Sequence, residues 1–384
     1  ILEKKIRVRM FVVTAIIICL FAFPIEIVKD VMLKTVYQVD DRKDYESVVS
    51  NQGYYGKYGV FTGMYGQFLE DKIAKPDNYD EEQLENELQK AEREEATWGT
   101  PNIIIVFSES FWDIDQVEEI TFDKPILENF EQLKQKGILV DMLSPVYGGI
   151  SSNVEFELLT GGSLKYFNKG YIPYMQLYNI KRANEYPSLI KELRKNGYAT
   201  KIVSGASGNL FNCDEVYQVM GIEERTYIED LENVQIKGQY VSDEYLTDQI
   251  IKTFSTKEKG KKLFYMTLTM QAHMPYYEDK YDTYDIEIKD TTLNIEEASM
   301  LKSYAQGIYD ADKQLGRLYQ YIQQLEEPSI VIFLGDHLPY LKEGLQDVLQ
   351  KLSYFNTGNQ QQDLYRKYHT QALILSNFDT PQGK

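Results

Sequence analysis

A chain of 384 residues with 43% hydrophobic content can bury a substantial core, which excludes a disordered chain. Its 59 acidic residues outweigh 41 basic ones, for a formal charge of -18, and no basic stripe occurs beyond the extreme N-terminus. A nucleic-acid binder is therefore excluded, and any phosphate-bearing substrate would need local help from a cation.

Lys4, Lys5, Arg7 and Arg9 precede an uncharged run from Met10 to Ile25 that resumes at Ile27 and Val28. The run is long enough to span a bilayer, is long for a signal peptide, and lacks a small-x-small cleavage site after it. Residues 1–29 are read as a transmembrane helix with a basic cytoplasmic flank. Basic residues before the span and Asp30, Asp40 and Asp41 after it place the bulk of the chain outside the cell membrane. The chain opens on Ile1 rather than Met, so it is read as a fragment whose upstream part has been cut away. Cys19 lies in the span and Cys213 beyond it, so no disulfide can form in the outer part, which fits export in a single-membrane bacterium.

Residues 30–98 predict a juxtamembrane helical connector, rich in glycine and aromatics from Gly53 to Gly66 and then polar and charged from Asp80 to Glu95. Such a polar helix reads as a solvated spacer that lifts the downstream domain off the bilayer. Residues 99–384 change in texture. Short apolar runs at 102–107, 137–142, 199–203, 263–269, 329–334 and 371–375 alternate with helix-like stretches such as "PILENFEQLKQKG", "PSLIKELRKNG" and "LKSYAQGIYDADKQLGRLYQYIQQLEE". This alternation predicts an α/β domain whose mostly parallel sheet is flanked by helices. Functional groups in such folds gather beyond the carboxyl ends of the strands.

Three strand ends deliver polar residues in that manner: Ser108-Glu109-Ser110, Met270-Gln271-Ala272-His273 and Gly335-Asp336-His337. Glu109, Asp336 and His337 in one crevice would suit Mn²⁺, Mg²⁺ or Zn²⁺. Each has an ordinary alternative: Glu109 as a helix-start carboxylate, "GDH" as a turn, His273 and His369 as loop or structural histidines. In "YGGISSNVEFELLTGG" (147–162), two glycines permit close backbone approach and Ser151 or Ser152 opens a helical pattern. Read locally, the serine is either an N-cap or a hydroxyl placed to attack phosphorus beside a metal.

"PNIIIVFSESFWD", "YGGISSNVEFELLTG", "MQAHMPY" and "FLGDHLPY" occur in an order and spacing that resembles the lipoteichoic acid synthase and phosphoglycerol transferase group of the alkaline phosphatase/sulfatase superfamily, from about residue 50 to 380. The resemblance implies a sulfatase-like α/β fold, one divalent metal, usually Mn²⁺, and transfer of glycerol phosphate from phosphatidylglycerol through a covalent phospho-enzyme. By position it implies metal ligation by Glu109, Ser151, Asp336 and His337, with Ser151 as nucleophile and His273 on the substrate side. Phe211 and Asn212 match substrate-side positions of the group. Two departures stand out: serine replaces the usual threonine nucleophile, and Cys213 falls where the group has arginine. That removes a phosphate-clamping cation, so either another residue, such as Lys201, supplies the charge or the headgroup is bound differently. The resemblance further implies a smaller C-terminal subdomain, so the catalytic domain is expected to be cut at its end. The implied partners are a phosphatidylglycerol-like lipid donor and a glycerol phosphate polymer, glycolipid or glycan acceptor. The competing readings are a metal-dependent phosphodiesterase, a phosphoethanolamine transferase, and a non-catalytic glycerophosphate-binding domain. Sulfate-ester hydrolysis requires a Cys/Ser-x-Pro-x-Arg context that neither Cys213 nor Ser151 has.

Overall fold

The computed structural model describes residues 80, 82–83, 100–167, 170–178, 186–343 and 346–379. The span read at 1–29 and nearly all of the connector read at 30–98 lie outside the described residues. Among the described residues, no helix is long and apolar enough to cross a membrane. The chain divides into two compact units, Ile1–Ala91 with Ser163–Tyr171, and Glu92–Gly162 with Ile172–Lys384. Described residues of the first unit include the 3-10 turn Leu164–Tyr166, with Ser163 accepting from the Lys165 N–H.

The second unit is built on seven strands: β1 (Asn102–Ser108), β2 (Ile138–Leu143), β3 (Ala199–Ser204), β4 (Glu224–Thr226), β5 (Leu263–Leu268), β6 (Ser329–Gly335) and β7 (His369–Ser376). They lie in the order β2-β7-β6-β1-β5-β3-β4. β7 runs antiparallel to both its neighbours, and the other pairings are parallel. Six of the strands coincide closely with the apolar runs read from sequence, and the three-residue β4 is too short to have left such a run. The central strands are buried on both faces, as their uninterrupted apolar character requires.

The helices that matter for the site are α1 (Glu128–Leu133), α2 (Ser151–Thr160), α3 (Leu189–Lys195), α4 (Cys213–Met220), α5 (Asp243–Thr256), α6 (Ile295–Ile322) and α7 (Gln360–Tyr368). α6 packs on α1, α5 and β6, and its Leu301, Tyr304, Ile308, Leu315 and Leu318 share one core with Ile104, Val106, Val331 and Phe333 of the sheet. It starts six residues before the segment read as helical. The reason is a capping box: Asn294 accepts from Glu297 N–H at 2.9 Å and Glu297 accepts from Asn294 N–H at 3.2 Å. α3 packs on α2 and β3.

One close approach sets the geometry of the sheet's active end. β1 and β6 run in parallel register with Ser108 opposite Gly335, so Glu109 and Asp336 emerge side by side. An ideal Cβ on Gly335 would lie 1.8 Å from the Phe111 carbonyl oxygen, so the chain leaving β1 can cross the end of β6 only because that residue has no side chain. Gly335→Ala is therefore expected to lower the unfolding free energy by about 1–3 kcal/mol, or more if the backbone cannot yield. Equilibrium denaturation checks this, and unaltered stability would show that the crossing is loose.

Candidate active site

Three strand ends and one helix start build the site. Glu109 follows β1, and Asp336 and His337 follow β6. A ligand atom from each of these three residues lies within 4.8 Å of the others, and all three are buried. His337 Nε2 stands 3.4 Å from Asp336 Oδ2 and 3.8 Å from Glu109 Oε1. Ser151 Oγ is 3.4 Å from the same nitrogen, so the hydroxyl joins the cluster.

The surrounding bonds fix which atoms face inward. Asp336 Oδ1 accepts from the N–H groups of Ser110 and His337, each at 2.8 Å, leaving Oδ2 to the cluster. Ser110 Oγ donates to Glu109 Oε1 at 2.8 Å, and Glu109 N–H donates to Thr269 Oγ1 at 3.2 Å. His337 Nδ1 lies 2.9 Å from the Leu338 carbonyl, which only a protonated Nδ1 can use. Nε2 then carries the lone pair, the tautomer a metal ligand needs.

Burial raises the Glu109 carboxyl above the ordinary range, and the neighbouring Asp336 adds to it. Burial works against a charged His337, but Asp336 and Glu109 outweigh it and the imidazole is raised overall. Two carboxylates packed together in a dry site call for a cation. Glu109, Asp336 and His337 offer one with hard oxygen and borderline nitrogen donors, and Ser151 adds a hydroxyl.

Ser151 is the first residue of α2, not its cap: the capping position is Ile150, left-handed at φ 63°, and no side chain caps the helix. Gly148 and Gly149, at φ 69° and 153°, make the turn that delivers it. A pocket of ≈ 160 Å³ opens beside Ser151, with Glu109, His273, Phe211, Cys213 and Asp336 in its lining. The imidazole of His273 is held through Nδ1, which lies 2.6 Å from the Met274 carbonyl and 3.1 Å from Tyr240 Oη. Lys280 Nζ donates to the His273 carbonyl at 2.5 Å from within a ring of Tyr240, Tyr276 and Tyr281. Burial pulls that ammonium down to about 8, against the pull of Glu109 and Asp243.

The structure separates other expected residues from this group. Asn212 is not among the described lining residues and stands at φ 58° just before α4, without capping it through its side chain. Lys201 is not in the lining: on β3 it pairs with Glu224 at 3.1 Å, and among the described lining residues there is no lysine or arginine. His369 opens β7 and bonds Asp141 at 3.0 Å, a structural role. Residues unforeseen from sequence are Glu155 and Tyr217 in the lining, with Tyr240 and Lys280 behind His273; Ser152, the alternative serine of the sequence reading, is also in the lining. Glu155 carried a signal, since it stands four residues after Ser151 and therefore on the same helical face.

A family model described as Sulfatase matches residues 101–384. The chain belongs to the sulfatase family. This sulfatase-family chain is 31% identical over 243 residues to a Rhizobium meliloti (strain 1021) protein named for cyclic beta-1,2-glucan modification, across 63% of its own length and 36% of that protein's. It is 25% identical over 246 residues to the capsular polysaccharide biosynthesis protein RkpI of the same organism, across 63% and 42%. It thus spans less than half of these relatives. Its fold matches the phosphoglycerol transferase GacH of Streptococcus pyogenes, solved with sn-glycerol-1-phosphate, at TM-score 0.67 and 24% identity, covering 81% of this chain and 79% of that one. For the lipoteichoic acid synthase LtaP of Listeria monocytogenes, the values are 0.54 and 19%, covering 73% and 67%. Both belong to the fold group that the four sequence motifs resemble.

Burial raises Glu155 from 4.5 to about 7, against hydrogen bonds from Tyr217 and Tyr174. A carboxyl whose folded pKa is raised stabilises the fold fully below its unfolded pKa, and that contribution is lost as pH rises through about 7. In metal-free protein, Glu155→Gln should therefore gain stability relative to the parent between pH 4.5 and 7 and hold the gain above. Melting temperatures across that range check it, and a constant difference would place the Glu155 titration elsewhere.

Proposed function

We propose that this chain is the catalytic part of a membrane-anchored phosphoglycerol transferase that works outside the cell on a phosphatidylglycerol-like lipid. The single observation that carries the reading is the convergence of Ser151 Oγ with the Glu109, Asp336 and His337 cluster at the mouth of a small pocket. The sulfatase-family match and the fold shared with GacH and LtaP support phosphoryl transfer. The likeness to a protein named for cyclic glucan modification supports a glycan or glycerol-terminated acceptor.

A divalent cation held by Glu109, Ser151, Asp336 and His337, Mn²⁺ in our reading, with Mg²⁺ or Zn²⁺ as alternatives, would offset phosphoryl charge and ease ionisation of the hydroxyl. Ser151, having given its proton to water, attacks phosphorus as the bond to diacylglycerol breaks. His273, protonated on Nε2, supplies the proton that the departing diacylglycerol oxygen takes up. An acceptor hydroxyl then attacks the phosphoserine and returns a proton to His273, and the Ser151 oxygen leaves as the alkoxide that began the cycle. Residues 1–29, read as a membrane span, would keep the site near its lipid donor. The absence of a sulfatase nucleophile motif sets sulfate esters aside.

Exposure to phosphatidylglycerol and Mn²⁺ followed by mass spectrometry should find glycerophosphate on Ser151, and Ser151→Ala should carry none and release no diacylglycerol. Undiminished turnover by that variant would remove the nucleophile. His273→Gln should lower kcat by about 10²- to 10⁴-fold with a smaller effect on KM. Mn²⁺ should raise the melting temperature of the parent but not of Asp336→Asn, and an equal rise in both would move the metal elsewhere.

A further inference from the structure

Deeper in the pocket, one helical turn beyond Ser151, α2 presents Glu155. Residues so spaced have Cβ atoms about 6 Å apart, the scale that separates a phosphorus atom from the far end of a small headgroup. Glu155 is 1% exposed, and Tyr174 and Tyr217 both donate to its Oε2. Among the described residues, no group bonds Oε1. Beside it, Ser152 Oγ is buried in the same lining without a hydrogen-bond partner. Ser204, Ser207 and Cys213 also line the pocket, and Cys213 lies near enough to Glu155 to feel its charge.

These groups define what can sit there. With Glu155 ionised, above about pH 7, a phosphate oxygen against it would set acceptor on acceptor with like charge, so the phosphoryl group belongs at the Ser151 end. A group next to that carboxylate must donate, and one next to Ser152 can donate or accept. An ammonium brings three donors and no acceptor, so it could donate to Glu155 and Ser152 but would leave the Ser152 hydroxyl proton without an acceptor. A hydroxylated carbon chain matches both atoms, and by doing so relieves buried polar groups that are otherwise left unpaired.

We propose that Glu155 and Ser152 form a headgroup subsite that recognises the free hydroxyls of a polyol phosphate, with Glu155 selecting the transferred group. This rests on the phosphotransfer reading of the site and names the feature of the donor that the pocket reads.

Calorimetric titration of the Mn²⁺-loaded chain with sn-glycerol 1-phosphate, ethyl phosphate and 2-aminoethyl phosphate tests it. The parent should bind glycerol phosphate about 10-fold more tightly than ethyl phosphate, the worth of one hydrogen bond to a charged group. Glu155→Gln keeps an oxygen for both tyrosines but turns an amide donor to the pocket, and it should erase that preference with ethyl phosphate affinity unchanged. Ser152→Ala removes a hydroxyl that bonds no protein group, so it should fold normally and weaken glycerol phosphate alone. Equal affinity for the three ligands in the parent, or a preference that survives both substitutions, would overturn the subsite while leaving phosphotransfer standing. Preference for 2-aminoethyl phosphate would assign Glu155 to an ammonium and overturn the polyol assignment. Failure to bind any of the three would remove the phosphotransfer reading, and the subsite with it.

Discussion

Two buried carboxylates at the ends of neighbouring parallel strands are the constraint around which the rest is arranged. Unit charges of one sign about 4 Å apart repel by about 4 kcal/mol at an effective dielectric near 20, so Glu109 and Asp336 are a standing cost to the fold. The protein offsets part of it with backbone N–H groups on Asp336 Oδ1 and the Ser110 hydroxyl on Glu109. Asp336 Oδ2 is left for a cation, and Glu109 Oε1 faces His337 while also accepting from Ser110. Gly335 makes the arrangement possible by letting the chain after β1 pass against the end of β6.

From that centre the pocket is polarised. At one end stand the cluster and Ser151; at the other stands Glu155, with both its tyrosine donors on one oxygen. α2 supplies both ends because its first residue and its fifth share a face. His273, from the end of β5, closes the side of the pocket with its Nδ1 occupied by the Met274 carbonyl, so that Nε2 is the nitrogen free to exchange a proton with a ligand. Tyr240 and the tyrosine-ringed Lys280 hold it there.

Where the resemblance expects an arginine, Cys213 is buried in the lining, and burial pushes its thiol upward and keeps it neutral. Among the described lining residues there is no lysine or arginine, so in the proposed reaction phosphate charge would be met at the cluster end. The Cys213 side is then left to neutral and hydrogen-bonding parts of a ligand. On the proposed reading, dividing charge from hydroxyl recognition in this way is how a chain of net charge -18 handles a phosphodiester.

The α/β architecture was legible because a strand covered on both faces must be an uninterrupted apolar run, and six such runs are present. Glu109, Asp336 and His337 could be picked out because a parallel sheet exposes the residues just after its strands, and Ser151 because glycines precede a helical pattern. β4, three residues long, left no periodic trace, and the early start of α6 lay in a capping pair outside the apolar pattern. Where the Lys201 side chain goes turned on an ion pair with a neighbouring strand, which no local pattern of the sequence reveals. The two phenols on Glu155 come from residues 19 and 62 positions away. Sequence by itself determined the strand-end chemistry, because local pattern dictates which residues a buried strand can carry. Only the tertiary structure decided which oxygen each partner takes and which atoms remain for a ligand, because those choices depend on groups that become neighbours only when the chain has folded.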